Sequence, residues 1–353
     1  MKRLSVLILA VCLLLSACAS TTPSGADKDS GEKQKIAVVA NSATDDHCIQ
    51  LVEGFQSEGE ALGYAVDIFL SNNDDAKFQE LFEQCLQNNY VGIYVTHGKA
   101  DYAYDLLKPA VDKGIKIVGF DTTAEKDGVA LEGATLTQQN DHLLAQISLD
   151  EICELCPNRP ARILKLWFGP GEPPLDRREE IYKEYEQAGK IETLEVVGPT
   201  DWNDVIGSVA TAISAMLPKY PEGSVDAVWA SWDELAKGVY KACGEANRDD
   251  LVMVAIDVSN QDLNFMKEEN SIWKATAAVD PVLIGRIGMR LMAMKLHGDE
   301  TPDVYQLEPK LIRSEMLQAD SNMDNLDQVI DGWRVSDEFN QPWMDELRAQ
   351  NAK

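Results

Sequence analysis

From residue 35 onward the chain alternates short, unbroken apolar runs with longer stretches in which apolar residues recur every three or four positions. Lys35-Ile-Ala-Val-Val-Ala40 is the first such run, and Phe78, Leu81, Phe82, Cys85 and Leu86 trace the first clear helical face. Strands are expected at 35–40, 65–70, 91–96 and 116–120. Helices are expected up to Leu62, where Gly63 stops the first, then through the 78–86 face, and over 100–113. Runs that are apolar throughout, rather than alternating, mark strands covered by helices on both faces. Four strand–helix units within about 90 residues therefore predict a parallel, doubly wound sheet. In a sheet ordered 2-1-3-4-5, right-handed crossovers put the first two helices on opposite faces, so Cys48 and Cys85 are not expected to meet.

The alternation continues with a strand over 129–137 and a helix opened by Asn140 and running to about Cys156, and then starts afresh. Segments 161–167, 176–188, 192–198, 201–217, 227–230, 233–246 and 251–256 read as strand and helix in turn, followed by a strand at 271–279. Pro281 is placed to open a helix whose apolar face is Leu283, Ile284, Ile287, Leu291 and Met294. An extended piece at 305–317 precedes an acidic tail, 319–353, that carries Trp333 and Trp343. The pattern is that of an α/β protein with two doubly wound parallel-sheet lobes. One strand in each half ends by presenting a carboxylate: Lys116-Ile-Val-Gly-Phe-Asp121 and Leu251-Val-Met-Val-Ala-Ile-Asp257. Ligands of such sheets bind beyond the carboxyl ends of the strands, so the two carboxylates are expected to face one cleft.

Charge and targeting narrow the class. Asp and Glu number 59 against 32 Lys and Arg, a formal charge of -27, which excludes nucleic acid as a partner because phosphate binding needs clustered cations. Lys2 and Arg3 precede an apolar run from Leu4 to Leu15 that is too short to span a bilayer, so 1–17 reads as a signal peptide. Leu15-Ser-Ala-Cys18 is similar to a bacterial lipobox, which implies lipidation of Cys18 (thioether-linked lipid and palmitate) and a polar tether over 18–34. The remaining cysteines are Cys48, Cys85, Cys153, Cys156 and Cys243. Cys153-Glu-Leu-Cys156 closes a helix ahead of Pro157, whereas a redox Cys-x-x-Cys uses a helix N-terminus to lower its thiol pKa. No second pair completes a zinc site, so the pair is expected to be structural, with no metal and no cofactor.

Dinucleotide, P-loop, nucleophile-elbow and H-E-x-x-H signatures are all lacking, and no catalytic residue is assigned. What the strand ends do present is Asn41, Ser42, His97, Asp121, Thr122, Trp202, Trp232, Asp233 and Asp257. Carboxylates accept hydroxyl hydrogen bonds, Arg donates in a fixed fork, and Trp offers an apolar face to the C–H side of a sugar ring. The combination suits a small polyhydroxylated ligand.

With these residues in view, the stretch from Lys35 to about Leu317 resembles the periplasmic sugar-binding proteins of the ribose/galactose type. The pieces that carry the resemblance are Gly119-Phe-Asp121, Asp176-Arg-Arg178, Asp201-Trp202-Asn203, Ser231-Trp232-Asp233, Ala255-Ile-Asp257 and Ala275-Thr-Ala-Ala-Val279-Asp280-Pro281. The resemblance implies the type I periplasmic binding protein fold, with a three-strand hinge near residues 140, 280 and 308. The first lobe is then 35–140 plus 280–308, and the second is 141–279 plus 309–318. It also implies that Asp121, Arg178, Trp202 and Asp257 contact the sugar, with Asn140 and Asp141 alternatives for one further position; together with the strand-end residues Asn41, His97 and Trp232 the expected ligand set is Asn41, His97, Asp121, Asn140, Arg178, Trp202, Trp232 and Asp257. Ribose-binding relatives follow the first Asp with Arg and carry polar amides where this chain has Trp232 and Val279, so Thr122, Trp232 and Val279 argue against ribose itself. The expected function is a monomeric, non-enzymatic, lipid-anchored substrate-binding protein on the outer face of the cell membrane or in the periplasm. It would serve the permease of an ABC importer. A receptor presenting its ligand to a membrane sensor kinase, and an enzyme acting on carbohydrate, are the competing classes.

Overall fold

The computed structural model describes residues 33–41, 46–158 and 160–352; the signal segment, Cys18 and Ser42 lie outside the described residues. Fourteen strands and ten helices among the described residues are numbered here in chain order. The first sheet comprises β1 (Lys35–Ala40), β2 (Ala65–Leu70), β3 (Tyr90–Thr96), β4 (Lys116–Phe120), β7 (Ala134–Gln139) and β13 (Val304–Leu307), in the order 13-7-4-3-1-2 and parallel throughout. Its faces are covered by α1 (Asp46–Ala61) and α9 (Pro281–His297) on one side and by α2 (Asp75–Leu86) and α3 (Ala100–Asp112) on the other. Alternate residues of each strand serve the two layers. Val38, Tyr94 and Val118 join the α1/α9 core, whereas Val39, Ile93, Val95 and Ile117 join the α2/α3 core. Cys85 belongs to the α2/α3 layer, and Cys48 sits on α1 across the sheet from it.

Helices α1 and α9 touch through glycine. A Cβ added at Gly285 would lie 2.0 Å from the Leu51 carbonyl oxygen, and one at Gly54 would lie 2.3 Å from that of Val282. Neither backbone could give way without separating the helices.

The second sheet repeats the plan with β8 (Ala161–Leu166), β9 (Ile191–Val197), β10 (Ala227–Ala230), β11 (Val252–Ile256), β12 (Trp273–Ala278) and β14 (Lys310–Arg313), ordered 14-12-11-10-8-9 with only β14 antiparallel. Helices α4 (Asp141–Leu155) and α5 (Pro173–Gln187) pack on one face around the fully buried Trp229. Helices α6 (Val205–Met216), α7 (Asp233–Glu245) and α8 (Asn260–Lys267) pack on the other around Trp273. The chain passes from the first sheet to the second between β7 and α4, returns between β12 and α9, and crosses again between β13 and β14.

Four expectations are corrected. The strand expected at 129–137 is broken by Gly133, which adopts φ +87; a short hairpin of β5 (Glu125–Lys126) and β6 (Val129–Ala130) precedes β7. The helix expected from 201 begins at Val205, because the Asp204 carboxylate caps it by accepting from the Gly207 amide. Helix α8 was not anticipated; Ser259 and Asp262 form a reciprocal capping box at its start. Residues after Leu317 are not a loose tail: Met323, Leu326, Ile330 and Trp333 are buried in the second lobe, and α10 (Pro342–Asn351) buries Met344 in the first.

Candidate ligand-binding cleft

Three parallel strands end in the same device. His97 after β3, Asp121 after β4 and Asp257 after β11 have φ of 58°, 41° and 73°. This left-handed region is costly for residues with a Cβ, and Asp, Asn and His tolerate it best. Each is held there by one further rung of the ladder: the amides of His97, Asp121 and Asp257 donate to the carbonyls of Phe120, Thr137 and Ala277, each at 2.9 Å. The turn directs the side chains out of the sheets, and all three line one cleft of about 1240 Å³ between the lobes.

Asn41, Arg178, Trp202 and Trp232 line the same cleft, so seven of the eight residues expected from sequence are brought together. The eighth is not. The Asn140 side chain caps α4 by accepting from the Leu143 amide at 3.1 Å, and it donates to Glu308 at 3.2 Å. Its neighbour Asp141, the alternative weighed for that position, organises the cleft floor instead. One Asp141 oxygen accepts from Arg178 Nε at 2.8 Å, and the other accepts from Arg177 Nε and Nη2 at 3.0 and 2.7 Å. A helix start places consecutive side chains about 100° apart. A one-residue choice there decides which side chain caps the helix and which turns inward to hold Arg177 and Arg178.

Arg178 is nearly fully buried. Beyond Asp141 it donates through Nη1 to the Ser231 carbonyl at 2.6 Å and to Asp257 Oδ2 at 3.1 Å. Burial works against its charge, but Asp257 and Asp141 outweigh burial and hold the guanidinium more firmly protonated than usual. Gln139, on the strand leading into the hinge, donates to the other Asp257 oxygen at 3.3 Å. Asp121 differs from Asp257. Its Oδ1 is buried without a hydrogen-bond partner among the described residues, and burial, followed by the charge of Asp141, raises its pKa to about 8. The site thus offers one carboxylate already oriented by Arg178 and one awaiting a donor.

Trp202 is 60% exposed and meets Phe168 edge-on at 4.7 Å, an unusual display for so large an apolar side chain. Thr122, by contrast, is used internally: its hydroxyl accepts from the Gly98 amide at 3.0 Å and donates to the Phe120 carbonyl at 3.1 Å. Val279 is core. Sequence reading missed Lys237, which lines the cleft and binds Asp233 at 3.1 Å, Asp262 at 3.6 Å and Glu234. Its spacing of three and four from Glu234 and Asp233 on one helix face was the available signal. No group of three or more His, Cys, Asp or Glu among the described residues is placed to hold a metal ion, and no helix among them is long and apolar enough to cross a membrane.

Two parallel-sheet lobes joined by three crossings flank a polar and aromatic cleft, the architecture of a ligand-binding protein. The model of the periplasmic binding protein domain matches residues 36–300. A sugar ABC transporter structure from Yersinia enterocolitica is similar at 39% identity, covering 91% of this chain and 96% of that one with a TM-score of 0.81. The 5-methylthioribose transporter solute-binding protein of Thermotoga lettingae, solved with 5-methylthioribose, is 25% identical with a TM-score of 0.79, covering 90% and 98%. The ribose import binding protein of Escherichia coli is 24% identical over 313 residues, 88% of this chain and 98% of that one. The chain belongs to the periplasmic binding protein family, of the ribose/galactose type and type I fold, and to its extracytoplasmic setting.

Proposed function

We propose that this protein is the substrate-binding lipoprotein of an ABC importer and that it captures a small sugar or sugar-like polyol between its lobes for delivery to a membrane permease. The observation that carries the reading is the convergence of Asp121 from the first lobe and Asp257 from the second on one cleft, with Arg178 fixed between carboxylates at its floor. Hydroxyl groups supply the donor that Asp121 lacks, and the exposed face of Trp202 covers the C–H side of a ring. Thr122, closed on its own loop, supplies no cation of the kind ribose-binding relatives carry there, and Phe168 with Trp202 adds an apolar wall. A sugar bearing an apolar substituent fits this wall better than free ribose. The protein releases its ligand unchanged, acts as a monomer, and is held at the membrane through lipid on Cys18.

A thermal-shift screen of D-ribose, D-allose, 5-methylthioribose and a set of polyols tests the reading. A true ligand at 100 times its dissociation constant adds about 2.7 kcal/mol to stability. Failure of every pentose, hexose, substituted sugar and polyol to shift the transition, or turnover of the one that binds, overturns it. For the anchor, Cys18→Ser abolishes metabolic labelling with palmitate; unchanged labelling refutes attachment at that thiol.

A further inference from the structure

The segment after Leu317 has one end in each lobe. Met323, Leu326, Ile330 and Trp333 sit in the core of the second lobe beside Trp273 and Met253. Six residues later Phe339 meets Tyr305 of the first lobe edge-on at 4.8 Å, and beyond it Trp343 stacks on His297 at 4.4 Å while donating to Asp299 at 3.1 Å. Met344 is fully buried against α1 and α9, and Arg348 pairs with Glu58 on α1.

Between these anchorages the chain is pinned twice. Arg334, held at φ +62, donates through Nε to Asp280 Oδ2 at 3.3 Å; Asp280 is the buried cap of α9, at the point where the chain returns from the second lobe to the first. On the first lobe, Arg290 Nη1 donates to the carbonyls of Ser336 and Glu338 at 2.7 and 3.0 Å. Only Arg334 and Val335 lie between Trp333 and Ser336, so three Cα–Cα steps span the lobes, about 10 Å at full extension.

Arg334 also reaches toward the cleft. Its Nη2 donates to the Met323 carbonyl at 2.7 Å, and the Met323 amide donates to Asn260 Oδ1 at 3.0 Å. Asn260 opens α8 on the second lobe, and its own amide donates at 2.9 Å to the carboxylate of Asp46, which opens α1 on the first. That last bond bridges the lobes at the cleft and breaks when they part.

We propose that the C-terminal segment is a fourth crossing of the hinge, a strap that biases the cleft toward closure, and that Arg334 is its positioning residue. The strap touches no ligand. It acts by limiting how far the lobes separate, and so by setting the population of the closed form that any ligand must find. The inference goes beyond the sugar-binding reading and holds whichever ligand the cleft takes.

Hydrogen exchange of the full chain without ligand tests it. The Asn260 amide reports the Asp46 bridge, and Asp46→Ala calibrates its complete release. Arg334→Gln accelerates exchange of the Asn260 amide by about tenfold or more while amides within β10 and β11 keep their protection. A four-residue Gly-Ser insertion after Val335, which is exposed and makes no part of either anchorage, slackens the strap with the Arg334–Asp280 pair intact and gives the same acceleration. The insertion carries the test alone if Arg334→Gln fails to fold. Wild-type exchange at Asn260 in the insertion variant, or acceleration spread evenly through the second-lobe core, overturns the proposal.

Discussion

The adjacent residues Asn140 and Asp141 make a paired experiment, because they share a sequence context and differ in what they touch. Asp141 is fully buried and accepts three hydrogen bonds from two guanidinium groups. Asp141→Asn keeps its shape and removes its charge, leaving the buried Arg178 with Asp257 as its one carboxylate. Breaking a buried charged pair costs about 3–5 kcal/mol, or about 6–20 °C in Tm for a domain of this size. Affinity for the sugar that gives the largest thermal shift falls by about tenfold or more, since Arg178 no longer holds Asp257 in place. Asn140→Ala removes one helix cap and one exposed contact, which costs about 1 kcal/mol and about 2–4 °C. Its affinity stays within about threefold, below the tenfold that 1.4 kcal/mol confers. Differential scanning calorimetry and isothermal titration on both variants supply the comparison. Should Asn140→Ala weaken binding more than Asp141→Asn, the cleft floor described here is wrong.

Asp121, whose pKa is raised from 3.8 to about 8, binds a proton more tightly folded than unfolded. Its contribution to stability is therefore fullest below the ordinary carboxyl pKa and declines as pH rises to about 8. Asp121→Asn, neutral at every pH, gains stability relative to wild type across that window, read as the difference in urea midpoint at pH 5 and pH 8; no pH dependence in the difference refutes the burial argument. Trp202→Ala lowers sugar affinity by about 1 kcal/mol or more through lost ring contact, with Tm nearly unchanged because the side chain is largely exposed. Gly285→Ala drives a Cβ into the Leu51 carbonyl and lowers the urea midpoint well beyond the roughly 1 kcal/mol that Ala contributes to an open helix position. A neutral or stabilised variant shows that α1 and α9 do not pack as described.

Local chemistry carried most of the fold into view. Unbroken apolar runs such as Ile36 to Ala40 and Val252 to Ile256 have one satisfying environment, a strand covered on both faces, and that alone implies crossover helices and a cleft at the strand ends. Asp121 and Asp257 were legible for the same reason, since a carboxylate that closes such a strand must leave the sheet. The cap at Asn140, the closed loop of Thr122 and the buried cluster around Lys237 were decided by helix phase and by partners distant in sequence. Of those partners Glu308 for Asn140, Gly98 for Thr122 and Asp262 for Lys237 lie beyond any local window. The C-terminal segment shows the division most plainly: its acidic composition reads as solvated tail, because its apolar residues, Met323, Leu326, Ile330, Trp333 and Met344, are too sparse to mark an element. Their burial depends on grooves that exist only after two lobes, built from residues hundreds of positions apart, have already folded.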